Sequence, residues 1–260
     1  MKKNDNLFWS SLKNIATFST IIMLLMGCKK DSVLNDTIII TGSGDITAKV
    51  NDFRQVLGAK LNTTPGAVGG RREIDWDGIP ADMLEKPLSG SFFNTIGTNV
   101  AASRQRGLLY SASADNFLVS NNGFKNINVA TANSFQAFSG SQTFANVSSN
   151  LWRVDFQVPG EPVAATVKGF GMVFSDVDVA NSTFLEFFSE NRSLGKFFVP
   201  VHDATSSFSF VGVYFKNEMV THVQVGHDGK LAEGGSDISS GGTRDFVIFD
   251  DFLFNEPVKK

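Results

Sequence analysis

One cysteine, two tyrosines, three histidines and seven prolines are all that this 260-residue chain contains of those types. A lone thiol forms no internal disulfide and cannot supply a cysteine-based zinc site, so stability must come from a hydrophobic core. An excess of basic charge is also missing: 23 Lys and Arg stand against 26 Asp and Glu, a formal net charge of −3. Without clustered Lys and Arg there is no electrostatic footprint for nucleic acid. No Gly-rich phosphate loop follows a strand and opens a helix, so nucleotide binding has no support, and there is no G-x-S-x-G elbow. His202, His222 and His227 show no H-x-H or HExxH spacing, so zinc is not expected. What the chain has in quantity is phenylalanine, 25 residues, within a composition that is 42% hydrophobic. That is enough for one large β-rich domain.

The apolar run Ile15 to Met26 follows Lys2, Lys3 and Lys13 and ends at Leu25-Met26-Gly27-Cys28. It is short for a bilayer span and closes on a small residue, the pattern of a secretory signal peptide over residues 1–27. With the only cysteine next, the segment resembles the bacterial lipoprotein lipobox. The resemblance implies that the Cys28 thiol carries a diacylglyceryl group, that palmitate is added there, and that Cys28 becomes the first mature residue. Lys29 and Lys30 follow, where an acidic residue would imply retention at the inner membrane. The expectation is therefore a cell-envelope protein held at the outer membrane by its lipid, with no residue deciding between the periplasmic and exterior faces. The acyl chains supply the membrane affinity. Removing the signal leaves 20 basic and 25 acidic side chains, a net charge of −5.

A polar tether is expected over residues 28–45 and a single antiparallel β-sandwich, jelly-roll-like, over 46–260. Apolar residues recur with period two: Leu151, Arg153, Asp155 and Gln157 alternate with Trp152, Val154, Phe156 and Val158, giving one wet and one dry face. Similar runs occur at 106–112, 165–174, 182–189, 196–201, 207–215, 219–226 and 245–254, punctuated by Asn, Gly, Ser and Pro. No helix-period stretch of ten or more residues stands out in the mature chain. Residues 60–105 read as a long loop region, and the Gly-rich stretch Gly226 to Gly242 as a mobile loop. Most of the 23 Phe outside the signal should fill the space between the sheets.

Carboxylates gather in three places. In Glu73-Ile74-Asp75-Trp76-Asp77-Gly78, alternation aims Glu73, Asp75 and Asp77 to one side. Oxygens at every second position before a Gly match the first half of a calcium loop, although Leu84 stands where a bidentate Glu would complete it. The same residues resemble the E-x-D-x-E motif of laminarinase-type glycoside hydrolases, which implies Glu73 as nucleophile and Asp77 as acid/base with Asp75 between them. Asp77 is one methylene shorter than that motif requires. A plain acidic turn paired with Arg71 or Arg72 competes with both readings. Asp176 and Asp178 follow a strand that ends near Ser175 and reach across the edge of the sandwich. Asp250 and Asp251 lie in a run with no wet face, so at least one is partly buried and needs backbone N–H groups, an arginine such as Arg244 or Arg153, or a cation. All seven carboxylates are candidate calcium ligands, and Trp76 is a candidate exposed ring for a sugar.

Gly70-Arg-Arg-Glu-Ile-Asp-Trp-Asp-Gly-Ile-Pro80, Gly169-Phe-Gly171 with Asp176-Val-Asp178, Phe198-Val-Pro200, Phe210-Val-Gly212 and Asp250-Asp-Phe252 together resemble a family of secreted bacterial β-rich proteins. The resemblance implies export and a β-sandwich, and it implies no reaction. The expected function is a lipid-anchored, non-catalytic binding or surface-interaction module for glycans or envelope proteins, stabilised by calcium. A retaining glycoside hydrolase and a structural envelope protein without a small ligand are the alternatives.

Overall fold

The computed structural model describes residues 36–131 and 133–260. The expected signal peptide, residues 1–27, and the expected lipidation site Cys28 lie outside the described residues. Fourteen strands follow in order: β1 (Thr37–Ser43), β2 (Arg71–Ile74), β3 (Leu108–Ala112), β4 (Phe117–Ser120), β5 (Thr143–Asn146), β6 (Leu151–Phe156), β7 (Ala165–Thr166), β8 (Gly169–Ser175), β9 (Phe184–Ser189), β10 (Arg192–Phe198), β11 (Phe208–Phe215), β12 (His222–Gly226), β13 (Ile248–Asn255) and β14 (Val258–Lys259). They form an all-β antiparallel sandwich. One sheet has the order β1-β11-β8-β13-β5-β4, with β2 also on β13; the other has the order β10-β9-β12-β6-β3. A small third ladder joins β14 to β7.

The core lies between the sheets, where Trp152, Val154 and Phe156 of β6 meet Phe170, Met172 and Phe174 of β8 and Phe252 and Phe254 of β13. The two sheets differ on their outer faces. Every residue of β4, β5 and β8 is buried, and all of β13 except Asn255, so the seven-stranded sheet is covered on both sides over these strands, while its edge strand β1 stays partly exposed. Strands β6, β9 and β12 alternate buried and accessible positions, so the five-stranded sheet keeps an open face. The wet face read from Leu151, Arg153 and Asp155 is this one.

One cover of the seven-stranded sheet corrects the sequence reading, which found no helix. Helix α1 (Thr47–Leu57) buries Val50, Phe53 and Leu57 at helical spacing, opens with Asp45 accepting a hydrogen bond from the Thr47 N–H at 3.1 Å, and stops at Gly58, whose φ is 133°. Its Phe53 rests on the facing pair Gly171 and Gly212, and a Cβ at either glycine would lie 2.7 Å from the ring. The Gly-Phe-Gly and Phe-Val-Gly motifs thus form the seat of a helix. Part of the stretch expected as tether is strand. Residues 37–43 form β1, paired along its length with β11, because the β-branched run Thr37-Ile-Ile-Ile-Thr41 favours extended backbone and completes a sheet edge.

Residues 60–105 are mostly irregular, yet they contain β2 and send Trp76, Ile79, Leu88, Phe92 and Phe93 into the core. Trp76 is fully buried and stacks on Phe144 at 3.9 Å between ring centroids, so it presents no surface to a sugar. The parity expected for residues 246–254 also fails. A bulge between Asp250 and Phe252, with Asp251 at a φ of 28°, shifts the register, so Phe249 and Phe252 face the same core although they are three residues apart.

Candidate functional site

The acidic turn at 73–77 resolves into separate networks. Glu73 accepts from Arg54 Nε at 3.0 Å, Arg54 Nη2 at 2.8 Å and Arg71 Nε at 2.6 Å. Burial raises its carboxyl, but the hydrogen bonds from Arg54 and Arg71 outweigh that and hold it below the usual range. Strand β2 ends at Ile74 and the chain turns at Trp76, where φ is 69°; Asp77 then accepts the Ser141 N–H at 2.8 Å, and Asp75 is exposed. Glu73, Asp75 and Asp77 therefore line no common cleft, and a nucleophile held by two guanidinium groups is poorly placed to attack. The three carboxylates that the hydrolase and calcium-loop readings placed on one side thus have separate partners: Glu73 meets Arg54 and Arg71, and Asp77 meets Ser141. Arg72 does not serve the turn either: it pairs with Glu256.

Asp250 and Asp251 sit on the bulge where β13 passes from pairing with β5 to pairing with β2. Asp250 accepts the Phe138 N–H at 2.7 Å, the Ser139 N–H at 3.2 Å and the Asp251 N–H at 2.8 Å, while Asp251 meets Ser139 Oγ and, at 3.6 Å, Arg54. Arg54 is thus the arginine the sequence reading sought. Arg244 pairs instead with Asp228 and Arg153 with Asp155. Burial, then the charge of Asp251, pushes the Asp250 carboxyl up to about 8, and burial pushes Asp251 up to about 6. A raised folded value favours the neutral form in the native state. The stability from Asp250 is therefore complete below its unfolded value near ~4 and is lost as pH climbs through about 8. The melting temperature is expected to fall between pH 5 and pH 8.5, and to fall less in Asp250→Asn; parallel curves for the two proteins would contradict this assignment.

The third acidic pair is joined by residues the sequence reading did not select. Strand β8 ends at Ser175, and Asp176, at a φ of 71°, starts the loop that carries both Asp176 and Asp178. His202, beyond β10, places Nε2 2.9 Å from Asp178 Oδ1 and 3.8 Å from Asp176 Oδ1. Asp237 comes from the Gly-rich stretch expected to be mobile, and that stretch is pinned: Leu231 is buried, and Asp237 accepts the Phe246 N–H at 2.8 Å and the Ser239 N–H at 2.8 Å. Asp245 accepts the N–H groups of Asp178 and Val179, each at 3.1 Å, and Ser182 Oγ at 2.7 Å. Ligand atoms of Asp178, Asp237 and Asp245 lie within 4.8 Å of one another, as do those of Asp176, Asp178 and His202. Burial, then the Asp178 charge, raises Asp176 to about 7; burial, then the hydrogen bond with Asp237, raises Asp178 to about 6. No short motif announces this cluster, because three separate loops supply it.

On the open face of the five-stranded sheet, register sorts the outward residues into rows. A central row, Ser111, Arg153, Gln224, Glu186 and Lys196, is polar on all five strands. On one side run Leu109, Asp155, His222 and Phe188; on the other, Leu151, Gly226, Phe184 and Phe198. Phe188 stacks on His222 at 4.6 Å with an interplanar angle of 4°. Phe184 lies over Gly226, where a Cβ would meet the ring at 2.3 Å, and carries Lys196 Nζ 3.9 Å from its centroid. The row charges cancel in pairs: Arg153 Nε donates to Asp155 at 2.8 Å, and Lys196 lies 3.5 Å from Glu186. Burial, then Arg153, lowers the His222 pKa and favours the neutral imidazole; its Nδ1 meets Thr221 Oγ1 at 3.2 Å, which leaves Nε2 for a ligand. Neighbouring depressions of about 190, 320 and 260 Å³ share Arg153, Asp155 and Ser111 along β3, β6 and β12. With an inter-strand spacing near ~4.8 Å, the polar row spans about 19 Å.

No protein-family model and no curated protein matches the chain.

Proposed function

We propose that this is a lipid-anchored protein of the bacterial cell envelope, held at the outer membrane through Cys28, whose sandwich binds neutral glycans without catalysis on the open face of its five-stranded sheet. The observation that carries this reading is the polar row from Ser111 to Lys196, flanked by the half-exposed rings of Phe188 and His222 on one side and Phe184 and Phe198 on the other. A sugar presents C–H faces that pack on rings and hydroxyl groups that both donate and accept, and the row offers amide, carboxylate, guanidinium and hydroxyl partners for them. Because its charges cancel in pairs, the face gives little attraction to a polyanion. A protein partner is favoured by an apolar centre and a polar rim, and here the polarity is central. Three neighbouring depressions share residues of the row on β3, β6 and β12, a spread that suits a chain and not a small enclosed molecule.

The test is a glycan array probed with the mature domain. Binding to a neutral oligosaccharide and its loss in Gln224→Ala are expected; a blank array would favour a structural envelope protein with no small ligand. The anchor is checked separately: palmitate labelling of the full chain should disappear in Cys28→Ala, and persistent labelling would contradict the lipobox reading.

A further inference from the structure

The chain meets most of its buried carboxylates with matched donors. Glu73 has Arg54 and Arg71, Glu256 has Arg72, Asp251 has Arg54 and Ser139, and Asp250 has three backbone N–H groups. In the cluster beyond the end of β8, Asp237 and Asp245 have backbone and hydroxyl donors, but Asp176 and Asp178 depart from that pattern. Among the described residues, neither Lys nor Arg pairs with Asp176, Asp178, Asp237 or Asp245, and His202 is the one basic side chain that reaches them. The Asp176 side chain is 8% exposed, and among the described residues the basic atom that reaches its carboxylate is His202 Nε2 at 3.8 Å. Among the described residues the Oδ2 of Asp176 is buried without a partner, and the Oδ2 of Asp178 is buried with no N–H or hydroxyl donor, the Asp178 carboxyl sharing a hydrogen bond with Asp237 instead. A buried carboxylate left in this way is costly, and the chemistries that remove the cost are a proton or a cation.

The geometry points to the cation. We propose that Asp176, Asp178, Asp237 and Asp245 form a site for one hard divalent ion of the calcium type, with His202 positioning Asp178 from outside. Backbone N–H groups and hydroxyls hold the Asp237 and Asp245 carboxylates in place, so these two are set before any ion arrives. Asp178 belongs both to the set with Asp237 and Asp245 and to the set with Asp176 and His202, so it links the unpartnered Oδ2 of Asp176 to the two carboxylates already held. Calcium takes six to eight oxygens, which four carboxylates supply when at least two bind through both oxygens or water fills the remainder, and imidazole is a poor ligand for so hard an ion. The pocket draws on the loop after β8, the loop after β10 and the β12–β13 connection, so an ion here ties together three loops at one end of the sandwich. The site lies apart from the open face, and its failure would leave the glycan reading standing.

The experiment is a thermal melt of the mature domain, first treated with chelator and then titrated with calcium chloride, beside Asp176→Asn, Asp237→Asn and His202→Ala. Calcium at a hundredfold excess over its dissociation constant should raise the melting temperature by about 5–10 °C. Asp176→Asn should melt no lower than the ion-free wild type, since it removes an unpaired buried charge, yet it should lose the calcium shift. Asp237→Asn should lose the shift as well, and His202→Ala should weaken calcium binding without abolishing it. An unchanged wild-type melt would overturn the proposal in favour of shared protons. A calcium shift retained in Asp176→Asn would place the ion elsewhere and overturn it too. Stabilisation by zinc alone, lost in His202→Ala and kept in Asp237→Asn, would replace the oxygen site with an imidazole one.

Discussion

Arg72→Met is expected to cost about 3–5 kcal/mol of folding stability, because it strands the Glu256 carboxylate in the interior. Arg72 has no solvent exposure, and it grips Glu256 with two parallel hydrogen bonds, Nε to Oε2 at 2.8 Å and Nη2 to Oε1 at 2.7 Å. Asn62 Nδ2 donates to the same carboxylate at 2.8 Å, and Arg72 Nη2 also reaches the Thr64 carbonyl at 2.9 Å. The pair therefore ties β2 and the loop before it to the chain leaving β13. Removing the arginine leaves one amide facing an ionised group, and removing both partners should be far milder. Denaturant melts of Arg72→Met, Glu256→Leu and the double variant check this: the double should recover part of the loss, while a single-variant cost under about 1 kcal/mol would contradict a buried, desolvated clamp.

Phe53→Ala should have a comparable effect, about 3–5 kcal/mol, for a different reason. The ring fills the recess made by Gly171 and Gly212 and is the largest side chain by which α1 holds the seven-stranded sheet. Without it, Val50 and Leu57 remain to bury the helix, and amide exchange across residues 47–57 should rise well above that of β8. The converse change gives the sharper check. Gly212→Ala in the wild type pushes a methyl into the ring and should cost about 1–3 kcal/mol. In the Phe53→Ala background the same methyl has room, so the cost should shrink or reverse; equal costs in both backgrounds would mean that the ring does not sit on this glycine.

Period-two alternation made most of the sandwich legible, and for β6 it gave the outward row as well. The failures have specific physical causes. Helix α1 was missed because its apolar residues, Val50, Phe53 and Leu57, are sparse, and the reason for the glycines that receive Phe53 appears only when helix and sheet are seen together. Parity failed at Asp250–Asp251 because a bulge inserts one residue, and nothing in the local pattern marks the insertion. Trp76 looked like a surface ring because it sits between acidic residues, yet the backbone turns there and drives it into the core beside Phe144. Asp176 and Asp178 were visible as a pair, but Asp237, Asp245 and His202 reach them from distant segments, and such convergence leaves no signature in spacing. The open face follows from strand order: β12 lies between β6 and β9, an arrangement that brings Gln224 between Arg153 and Glu186.

The central claim is that the open face, and not the covered sheet or the acidic turn, receives the ligand. Titration calorimetry with a neutral oligosaccharide identified on the array tests it most directly, using Phe188→Ala and Gln224→Ala on the open face and Asp77→Asn on the turn. Both open-face variants should bind at least about tenfold more weakly, a loss near ~1.4 kcal/mol, with unchanged melting temperatures, while Asp77→Asn binds like the wild type. Undiminished binding by both open-face variants, or a loss confined to Asp77→Asn, would contradict the account.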